Sequence, residues 1–364
     1  MQDLPRTGSG SGSGTGTAET KLPTREAILD LPKIELHVHL EGSIGPKTVL
    51  ALAQANGIEL PAKTLPELEA YYRFRDFAHF VEVYIAVSKC IRRPEDLRRV
   101  AYDFAIGQAE QNVLYTEVHY TALTIEHHCG IPWPEQRDAI AAGFAAAQEE
   151  TGTETRLILD IVRGVTVPMG ERNLEWALDG HRTGLVAAMG LSGMEGQDPI
   201  SVHAPVFAEA RRQGLPISAH AGETKGPESI REALEFANPD RIGHGVRCVE
   251  DVKLVRELAE RRIPLEVCPT SNVALGVFPS LEKHTLPYLL EAGLNVSINS
   301  DDPPMFGTTL TDELFRVSQT FGLDQDALYS LTLNAANAAF VSDERKDELR
   351  AILRENYFSS EPSA

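Results

Sequence analysis

Eight short, largely apolar segments recur along the chain, each separated from the next by a stretch with helical periodicity. These segments lie at 33–43, 113–120, 154–162, 185–191, 216–222, 241–245, 264–269 and 295–302. Strands that alternate with helices pair in parallel, because each helix returns the chain to the same end of the sheet. Eight such units are the number in a closed barrel, so the sequence predicts the α/β class and a (β/α)8 TIM barrel.

An open, doubly wound sheet has the same alternation, and the placement of polar residues separates the two architectures. In a barrel, functional side chains come from the C-terminal ends of several strands. The unusual polar residues of this chain stand at such ends: His37, His39, His220, His244, Asp301 and Asp302. No G-x-G-x-x-G sequence follows an early strand, so the dinucleotide-binding fold lacks its main signature. The barrel is therefore favoured.

The first segment carries two histidines at the spacing of a metal site. His37 and His39 are two residues apart, so both imidazoles point to the same side of a strand. A single histidine in an apolar strand is more often a core residue, but a pair just before a Gly-Ser turn favours metal ligation. With His220 and Asp301, the set becomes three imidazoles and one carboxylate. Such a set suits zinc or a similar divalent ion that activates water.

Glu223 lies three residues after His220 and just past a strand end. A carboxyl group there is either an exposed charge near a helix start or a group that works beside the metal. Its position next to a metal within a cleft favours general acid or base catalysis.

The composition fits one large folded domain. The chain has 364 residues, of which 42% are hydrophobic and 24% are charged. A Gly/Ser/Thr tract precedes the first predicted element, and such a tract cannot bury enough apolar surface to fold. We therefore predict a disordered tail at 1–25, a barrel at 26–356 and a short C-terminal tail at 357–364.

The net charge and the cysteine content restrict which partners and which cellular compartment are expected. A formal charge of −19 disfavours nucleic acid, which binds clustered lysine and arginine. A helix needs a run of about 18 apolar residues to cross a membrane. The chain contains no such run, so no membrane span is expected. Four cysteines, Cys90, Cys129, Cys248 and Cys268, are scattered without a C-x-x-C motif and favour a reducing cytoplasm. The expected partner is a small molecule, and the sequence leaves the oligomeric state open.

Five motifs occur together and in one order along the chain. They are His37-Val38-His39-Leu40-Glu41-Gly42, His220-Ala221-Gly222-Glu223, Ile242-Gly243-His244-Gly245, Cys268-Pro269-Thr270-Ser271-Asn272 and Ser300-Asp301-Asp302-Pro303. Together they resemble the adenosine deaminase family of metal-dependent amidohydrolases, from about residue 30 to 340. The resemblance implies a barrel with one zinc ion per chain that hydrolytically replaces the 6-amino group of an adenine ring and releases ammonia.

The resemblance also implies roles for single residues. His37, His39, His220 and Asp301 are expected to hold the zinc ion. Glu223 is expected to protonate ring N1, and His244 to orient the attacking hydroxide. Asp302 corresponds to the acceptor on the N7 side of the purine. Gly193 corresponds to a backbone contact with ring N3.

The substrate beyond the ring is less constrained. Family members specific for nucleosides usually carry Asp at the position of Glu41, which contacts the sugar. Relatives specific for free adenine tend to have Asp at the position of Gly243. The first expectation is therefore adenosine or 2′-deoxyadenosine, and the alternatives are a 5′-modified adenine nucleoside such as aminodeoxyfutalosine, or free adenine. An ester or amide hydrolase on the same barrel, and a binding protein without turnover, are competing classes.

The segment 71–84 is the most aromatic part of the chain, and it contains Phe77 and Phe80 at i and i+3. Its aromatic residues form either a helix face packed on the core or a wall over a flat substrate, because pockets are mostly lined by such side chains. The pattern alone does not separate these interpretations. We therefore keep Phe77 and Phe80 as candidate substrate contacts.

Overall fold

The computed structural model describes residues 21–74 and 77–358. Eight parallel strands follow one another in a single sheet, in the order of the chain. They are β1 Lys33–His39, β2 Val113–Tyr120, β3 Glu154–Val162, β4 Val186–Ser192, β5 Ile217–Ala221, β6 Arg241–His244, β7 Pro264–Val267 and β8 Asn295–Ile298. A parallel bridge between Val38 and Asp301 joins the first strand to the chain after the last. The predicted (β/α)8 barrel is confirmed.

Helices connect successive strands and cover the outside of the barrel. The described helices are α1 Arg25–Asp30, α2 Pro46–Asn56, α3 Leu65–Tyr71, α4 Phe77–Ser88, α5 Pro94–Ala109, α6 Ala122–Cys129, α7 Trp133–Thr151, α8 Val167–Arg182, α9 Ala204–Arg212, α10 Pro227–Glu232, α11 Val252–Glu260, α12 Pro269–Ala274, α13 Leu286–Glu291, α14 Pro303–Phe306, α15 Leu310–Phe321, α16 Gln325–Ala338 and α17 Asp343–Phe358. Among the described helices, none is long and apolar enough to cross a membrane.

The last strand is shorter than the sequence predicts. We expected it to run to 302, but it ends at Ile298. The Asn299 side-chain oxygen then accepts hydrogen bonds from the backbone N–H groups of Leu36 (2.9 Å) and His37 (3.1 Å). Asp301 has a left-handed backbone with φ of 65°. The chain therefore leaves regular strand geometry before it reaches the acidic pair.

The interior of the barrel beneath the strand ends is polar and internally paired. Arg241 is 1% exposed, and its guanidinium contacts the carboxylates of Glu117 (2.6 Å) and Glu266. The guanidinium carbon also lies 3.6 Å from the ring centroid of Phe340. Removing one partner from such a set would leave an uncompensated charge inside the barrel. Arg241 therefore holds the carboxylate of Glu266, which contacts His37 at the strand ends.

The described part of the chain runs from residue 21 to 358 with a gap at 75–76, and the domain boundaries stay a prediction. The predicted tail at 1–25 is mostly outside the described residues, and α1 begins at Arg25. The buried ammonium of Lys33 donates to the carbonyl oxygens of Ile28 (2.7 Å) and Leu29 (3.0 Å), which ties α1 to the first strand. At the other end α17 continues to Phe358, and residues 359–364 lie outside the described part.

Two helical glycines give a matched test of the packing of α5 against α7. A Cβ at Gly143 of α7 would lie 2.5 Å from the Arg98 carbonyl oxygen and 2.8 Å from the Ala101 Cβ. A Cβ at Gly107 of α5 would have no atom within 4 Å. We expect Gly143→Ala to lower the free energy of unfolding by about 1–3 kcal/mol because it overpacks the contact. Gly107→Ala should raise that free energy by about 0.5–1 kcal/mol.

Denaturant titration of both variants measures these changes. Equal effects of the two substitutions would contradict the close approach of the helices at Gly143.

Candidate active site

Four side chains predicted as metal ligands meet at the C-terminal end of the barrel. His39 Nε2 lies 3.2 Å from His220 Nε2 and 3.3 Å from Asp301 Oδ1. His37 Nε2 lies 3.6 Å from the same Asp301 oxygen. All four side chains are buried. Residues from three different parts of the sheet therefore lie close enough to share one ion. We call His37, His39, His220 and Asp301 the ligand cluster.

This spacing fits a tetrahedral metal ion. Ligand atoms about 2.0–2.1 Å from a tetrahedral ion lie about 3.3–3.4 Å from one another. His37 Nε2 is buried without a hydrogen-bond partner among residues 21–74 and 77–358. A buried polar atom without a partner is costly, and an ion at the centre of the cluster would satisfy it. The donor set of three imidazoles and one carboxylate thus fits a divalent cation.

Local backbone geometry brings these ligands together. On β1, the alternation of side chains places His37 and His39 on the interior side of the barrel. Asp301 N–H donates to the His37 carbonyl, and His39 N–H donates to the Asp301 carbonyl. The left-handed φ of Asp301 turns its carboxylate toward the two imidazoles, while Asp302 points elsewhere. Adjacent side chains on a regular strand point in opposite directions, so the turn at Asp301 is what lets this residue face the imidazoles.

Further hydrogen bonds orient the imidazoles. Glu266 Oε2 lies 2.8 Å from His37 Nδ1, and the Leu191 carbonyl oxygen lies 2.7 Å from His220 Nδ1. These contacts direct the two Nε2 atoms toward the centre of the cluster, as is usual for metal-ligating histidines. Burial alone would lower the pKa of His37, but the neighbouring carboxylates of Asp301 and Glu266 raise that pKa to about 10. The same negative charges attract a metal cation, which competes with the proton.

Glu223 and His244 lie beside this cluster. His244 Nε2 is 3.7 Å from Glu223 Oε1 and 3.9 Å from Asp301 Oδ2. Burial, together with the nearby charge of Asp301, raises the pKa of Glu223 well above its ordinary value. Burial lowers the pKa of His244 to about 3. A carboxyl group whose environment favours its protonated form and a neutral imidazole therefore face the position next to the ligand cluster.

The next acidic residue depends on a glycine for its place. A Cβ on Gly42 would lie 1.6 Å from Asp302 Oδ1, so only glycine leaves room for that carboxyl group. Asp302 Oδ1 is buried without a hydrogen-bond partner among the described residues. Burial and the charge of Asp301 raise the pKa of Asp302 well above its usual range. Asp302 can therefore act as a hydrogen-bond donor.

Gly193 lies directly after β4 and lines the same cavity as Asp302. Its φ of 88° is left-handed, and a Cβ there would lie 3.0 Å from Val162 Cγ1. The Gly193 carbonyl oxygen accepts a hydrogen bond from Arg163 (3.1 Å). A backbone contact from Gly193 to a ligand would therefore use its N–H group.

Glu41 is buried beside the cavity rather than within its lining. Its Oε1 accepts hydrogen bonds from Thr121 N (2.9 Å) and Thr121 Oγ1 (2.6 Å), and its Oε2 lies 3.4 Å from the hydroxyl of Tyr84. Thr121 and Tyr84 line the cavity, whereas Glu41 does not appear among the lining residues. An effect of Glu41 on a ligand would pass through these two neighbours.

Of the two candidate phenylalanines, Phe80 lines the cavity. Its ring stacks on Phe306 at a centroid distance of 5.5 Å and contacts Phe74 at 5.3 Å. Phe80 therefore combines the two interpretations of the aromatic segment, since it packs against other rings and also forms a wall. The side chain of Phe77 lies outside the described residues.

The cavity has a volume of about 390 Å³ and runs from the ligand cluster to solvent. We call the lining residues in or beside the ligand cluster the inner part: His39, His220, Glu223, His244, Asp301 and Asp302. We call a set of partly or fully exposed lining residues the outer part: Val81, Ile85, His128, Met194 and Leu275. Val81 is 37% exposed and Met194 is 50% exposed, so they mark the mouth. His128 lines the cavity although it belongs to none of the five sequence motifs.

A buried pair below the ligand cluster was also missed from the sequence. His119 Nδ1 lies 2.8 Å from Asp160 Oδ1, and the His119 ring centroid lies 4.8 Å from that of His37. Gly190 makes room for this carboxylate, because a Cβ there would lie 1.8 Å from Asp160 Oδ1. His119 stands near the C-terminal end of β2, so the rule that found the other strand-end histidines could have found it as well.

Comparisons with known proteins identify the family and its fold. The family model described as adenosine deaminase matches residues 32–356. An aminodeoxyfutalosine deaminase from Streptomyces coelicolor is 41% identical over 316 residues, which cover 86% of this chain and 81% of the relative. The structure of an adenine deaminase from Arthrobacter aurescens has a TM-score of 0.85 and 32% identity, and the match covers 89% of this chain and 98% of that chain. An amidohydrolase from Burkholderia ambifaria with bound zinc has a TM-score of 0.84 and 28% identity, with 92% of each chain covered.

The chain therefore belongs to the adenosine deaminase family, and the resemblance found in its motifs is confirmed. It is a hydrolytic deaminase that acts on C–N bonds. An ester or amide hydrolase on the same barrel does not fit this assignment.

Glu266 offers a test of the proposed metal ligation, because it is the only described carboxylate that both pairs with Arg241 and contacts His37 Nδ1. We expect Glu266→Gln to weaken metal affinity about 10–100-fold, since the orientation of the His37 imidazole is lost. Competition of the purified protein with a chromogenic chelator measures this change.

Glu117→Gln is the matched control, because Glu117 is the other carboxylate on Arg241. Its metal affinity should stay within about threefold of the parent protein. Equal losses in both variants would trace the effect to the barrel interior rather than to His37.

Proposed function

We propose that the chain removes the 6-amino group from an adenine nucleoside modified at its 5′ position, with aminodeoxyfutalosine as the example. The observation that carries this proposal is the extent of the cavity. The polar inner part offers ring-binding groups, and an apolar outer part continues from it to the mouth. A small free base would occupy the inner part and leave the outer part unfilled.

The outer part suits an apolar substituent. Val81, Ile85, Met194 and Leu275 surround it, and the first two come from α4. Exposed apolar side chains that cluster at a cavity mouth commonly mark a ligand contact. Burying them against a substituent would contribute about 25 cal/mol for each Å² removed from water. A substituent on the sugar would thus be recognised here.

The relatives support a modified nucleoside or a free base over adenosine, since their names refer to aminodeoxyfutalosine and adenine. Between these two, Gly243 favours the nucleoside. Relatives specific for free adenine tend to have Asp there, but a Cβ at 243 would lie 2.7 Å from the His37 Cε1 atom. The position of His37 therefore excludes a side chain at residue 243.

We propose zinc as the ion held by His37, His39, His220 and Asp301. The donor types suit zinc, and the related amidohydrolase from Burkholderia ambifaria has bound zinc. When bound, such an ion supplies a nucleophile at neutral pH by lowering the pKa of water. The protein's own contribution is to fix the four donor atoms and to exclude bulk water from the inner cavity.

The remaining residues act on the ring. Glu223 donates a proton to ring N1, which makes C6 electrophilic. His244, which lies next to Glu223, orients the attacking oxygen and stabilises its charge. Asp302 was expected to be an acceptor on the N7 side, but a purine N7 is itself an acceptor, so the protonated carboxyl of Asp302 is the donor. The N–H of Gly193 contacts ring N3.

Glu223→Gln tests the proton-donor role. The amide keeps the size of the side chain but cannot deliver an acidic proton. Turnover should fall about 10²–10⁴-fold. The metal content, measured by elemental analysis, should stay unchanged because Glu223 is not among the proposed ligands. Turnover within a few-fold of the parent protein would remove Glu223 from the mechanism.

A substrate panel tests the proposed specificity. Adenine, adenosine, 2′-deoxyadenosine and 5′-substituted adenosines, aminodeoxyfutalosine among them, are compared by ultraviolet absorbance and ammonia release. We expect the 5′-substituted compounds to have the highest kcat/KM, by about tenfold or more, because only they fill the outer cavity. Highest activity on free adenine would overturn the proposal, and turnover of none of them would favour a binding protein.

Met194→Glu examines the outer cavity directly. The substitution removes about 60 Å² of apolar contact, which corresponds to about 1.5 kcal/mol of binding free energy. We therefore expect KM for a 5′-substituted substrate to rise about tenfold, while KM for adenine stays unchanged. Val252→Glu is the control, since Val252 is an exposed apolar residue outside the cavity lining.

A further inference from the structure

The buried carboxylate of Glu195 accepts hydrogen bonds from the backbone of the loop that carries Glu223. Glu195 follows β4 by three residues and is 5% exposed. Both of its oxygens accept hydrogen bonds from the segment after β5. The donors to Oε1 and Oε2 are Gly222 N (2.6 Å), Glu223 N (3.0 Å), Thr224 N (2.6 Å), Lys225 N (2.9 Å), Thr224 Oγ1 (3.1 Å) and Ser229 Oγ.

Four consecutive backbone N–H groups directed at one carboxylate form an anion-binding nest. The nest requires a left-handed residue at its start, and Gly222 has a φ of 71°. A Cβ at Gly222 would lie 2.3 Å from Ile230 Cδ1, so the position excludes other residues. Burial would raise the pKa of Glu195, but hydrogen bonds from Ser229 and the backbone hold that pKa below its ordinary value. The nest thus encloses a charged carboxylate.

Glu223 itself lacks a comparable restraint on its side chain. Glu223 Oε1 is buried and has no hydrogen-bond partner among residues 21–74 and 77–358. Its nearest charged contact, His244 Nε2, lies at 3.7 Å, beyond hydrogen-bond distance. The direction of this side chain is therefore set mainly by the backbone from which it starts, and that backbone is held by Glu195.

Arg163 ties the same two loops together from the other side. Its guanidinium donates to the carbonyl oxygens of Gly193 (3.1 Å) and His220 (2.6 Å), and Arg163 is 5% exposed. The chain after β4 and the chain after β5 are thus joined by two buried side chains of opposite charge. Glu195 is the member of this pair that contacts the N–H group of Glu223.

We infer that Glu195 is a positioning residue for the deamination, which holds the loop 222–225 so that the Glu223 carboxyl group meets the substrate ring. This inference rests on the proton-donor role proposed for Glu223. A misplacement of about 1 Å in a catalytic group commonly costs about 10²-fold in rate. Glu195 itself contacts neither the ligand cluster nor the cavity.

Glu195→Gln is the central variant. Its amide places N–H groups against the N–H groups of the nest, so the loop should lose its fixed position. We expect kcat to fall about 10–100-fold, with KM within about threefold and metal content unchanged. Hydrogen exchange, measured by mass spectrometry, should become faster at 222–225. Glu232→Gln is the control, because Glu232 caps Ile200 N (2.8 Å) nearby without contacting the loop.

A double-mutant cycle separates positioning from general stability. If Glu195 acts through Glu223, adding Glu195→Gln to the Glu223→Gln variant should lower residual turnover by less than about threefold. A full additional loss in that background would overturn the inference, as would parental kcat and exchange in the single variant. If Glu195→Gln does not fold, Glu195→Asp retains the charge, shortens the side chain and carries the same expectations.

The two proposals fail in different ways. Retained turnover in Glu223→Gln alone would refute the proton-donor role. Loss of turnover in Glu223→Gln, together with unchanged turnover in Glu195→Gln, would refute only the positioning role.

Discussion

The site depends on the contact at which the last part of the sheet meets the first. Asp301 pairs with Val38 across this closure, and its backbone exchanges hydrogen bonds with His37 and His39. The same residue that joins the barrel edges therefore brings a carboxylate to the two imidazoles of β1. Because a left-handed backbone is unfavourable for most residues, this arrangement persists only where surrounding structure fixes it. The contact that closes the barrel therefore also sets the positions of Asp301, His37 and His39 relative to one another.

Buried charges support the site from below and from the side. Beneath it, Arg241 neutralises Glu266, which in turn orients His37. At the side, Glu195 gathers the backbone of the loop that carries Glu223. Each buried charge has a partner or a set of N–H donors, which offsets the cost of taking it out of water. Among the described residues, Glu223 Oε1 and Asp302 Oδ1 by contrast have no hydrogen-bond partner and face the cavity.

The two parts of the cavity differ in how firmly they are built. The inner part uses residues at and just after strand ends, and hydrogen bonds orient its imidazoles, such as that of His220. The outer part uses exposed side chains such as Val81 and Met194, which can change without disturbing the barrel. Under the proposed function, the strand ends carry the reaction chemistry and the mouth selects the substrate. This division agrees with the general behaviour of TIM barrels, in which function varies through the loops.

The sequence alone determined the number of strands, the barrel and the family, because the periodicity of side chains and the order of motifs are local properties. It could not reveal the left-handed turn at Asp301 or the early end of β8, since both depend on hydrogen bonds to β1. Nor could it connect Glu195 with Glu223 or His119 with Asp160, which lie 28 and 41 residues apart along the chain. Such pairs are decided only when the tertiary fold brings separate strand ends together. A buried polar group must find a partner there, and the chain order does not specify which one.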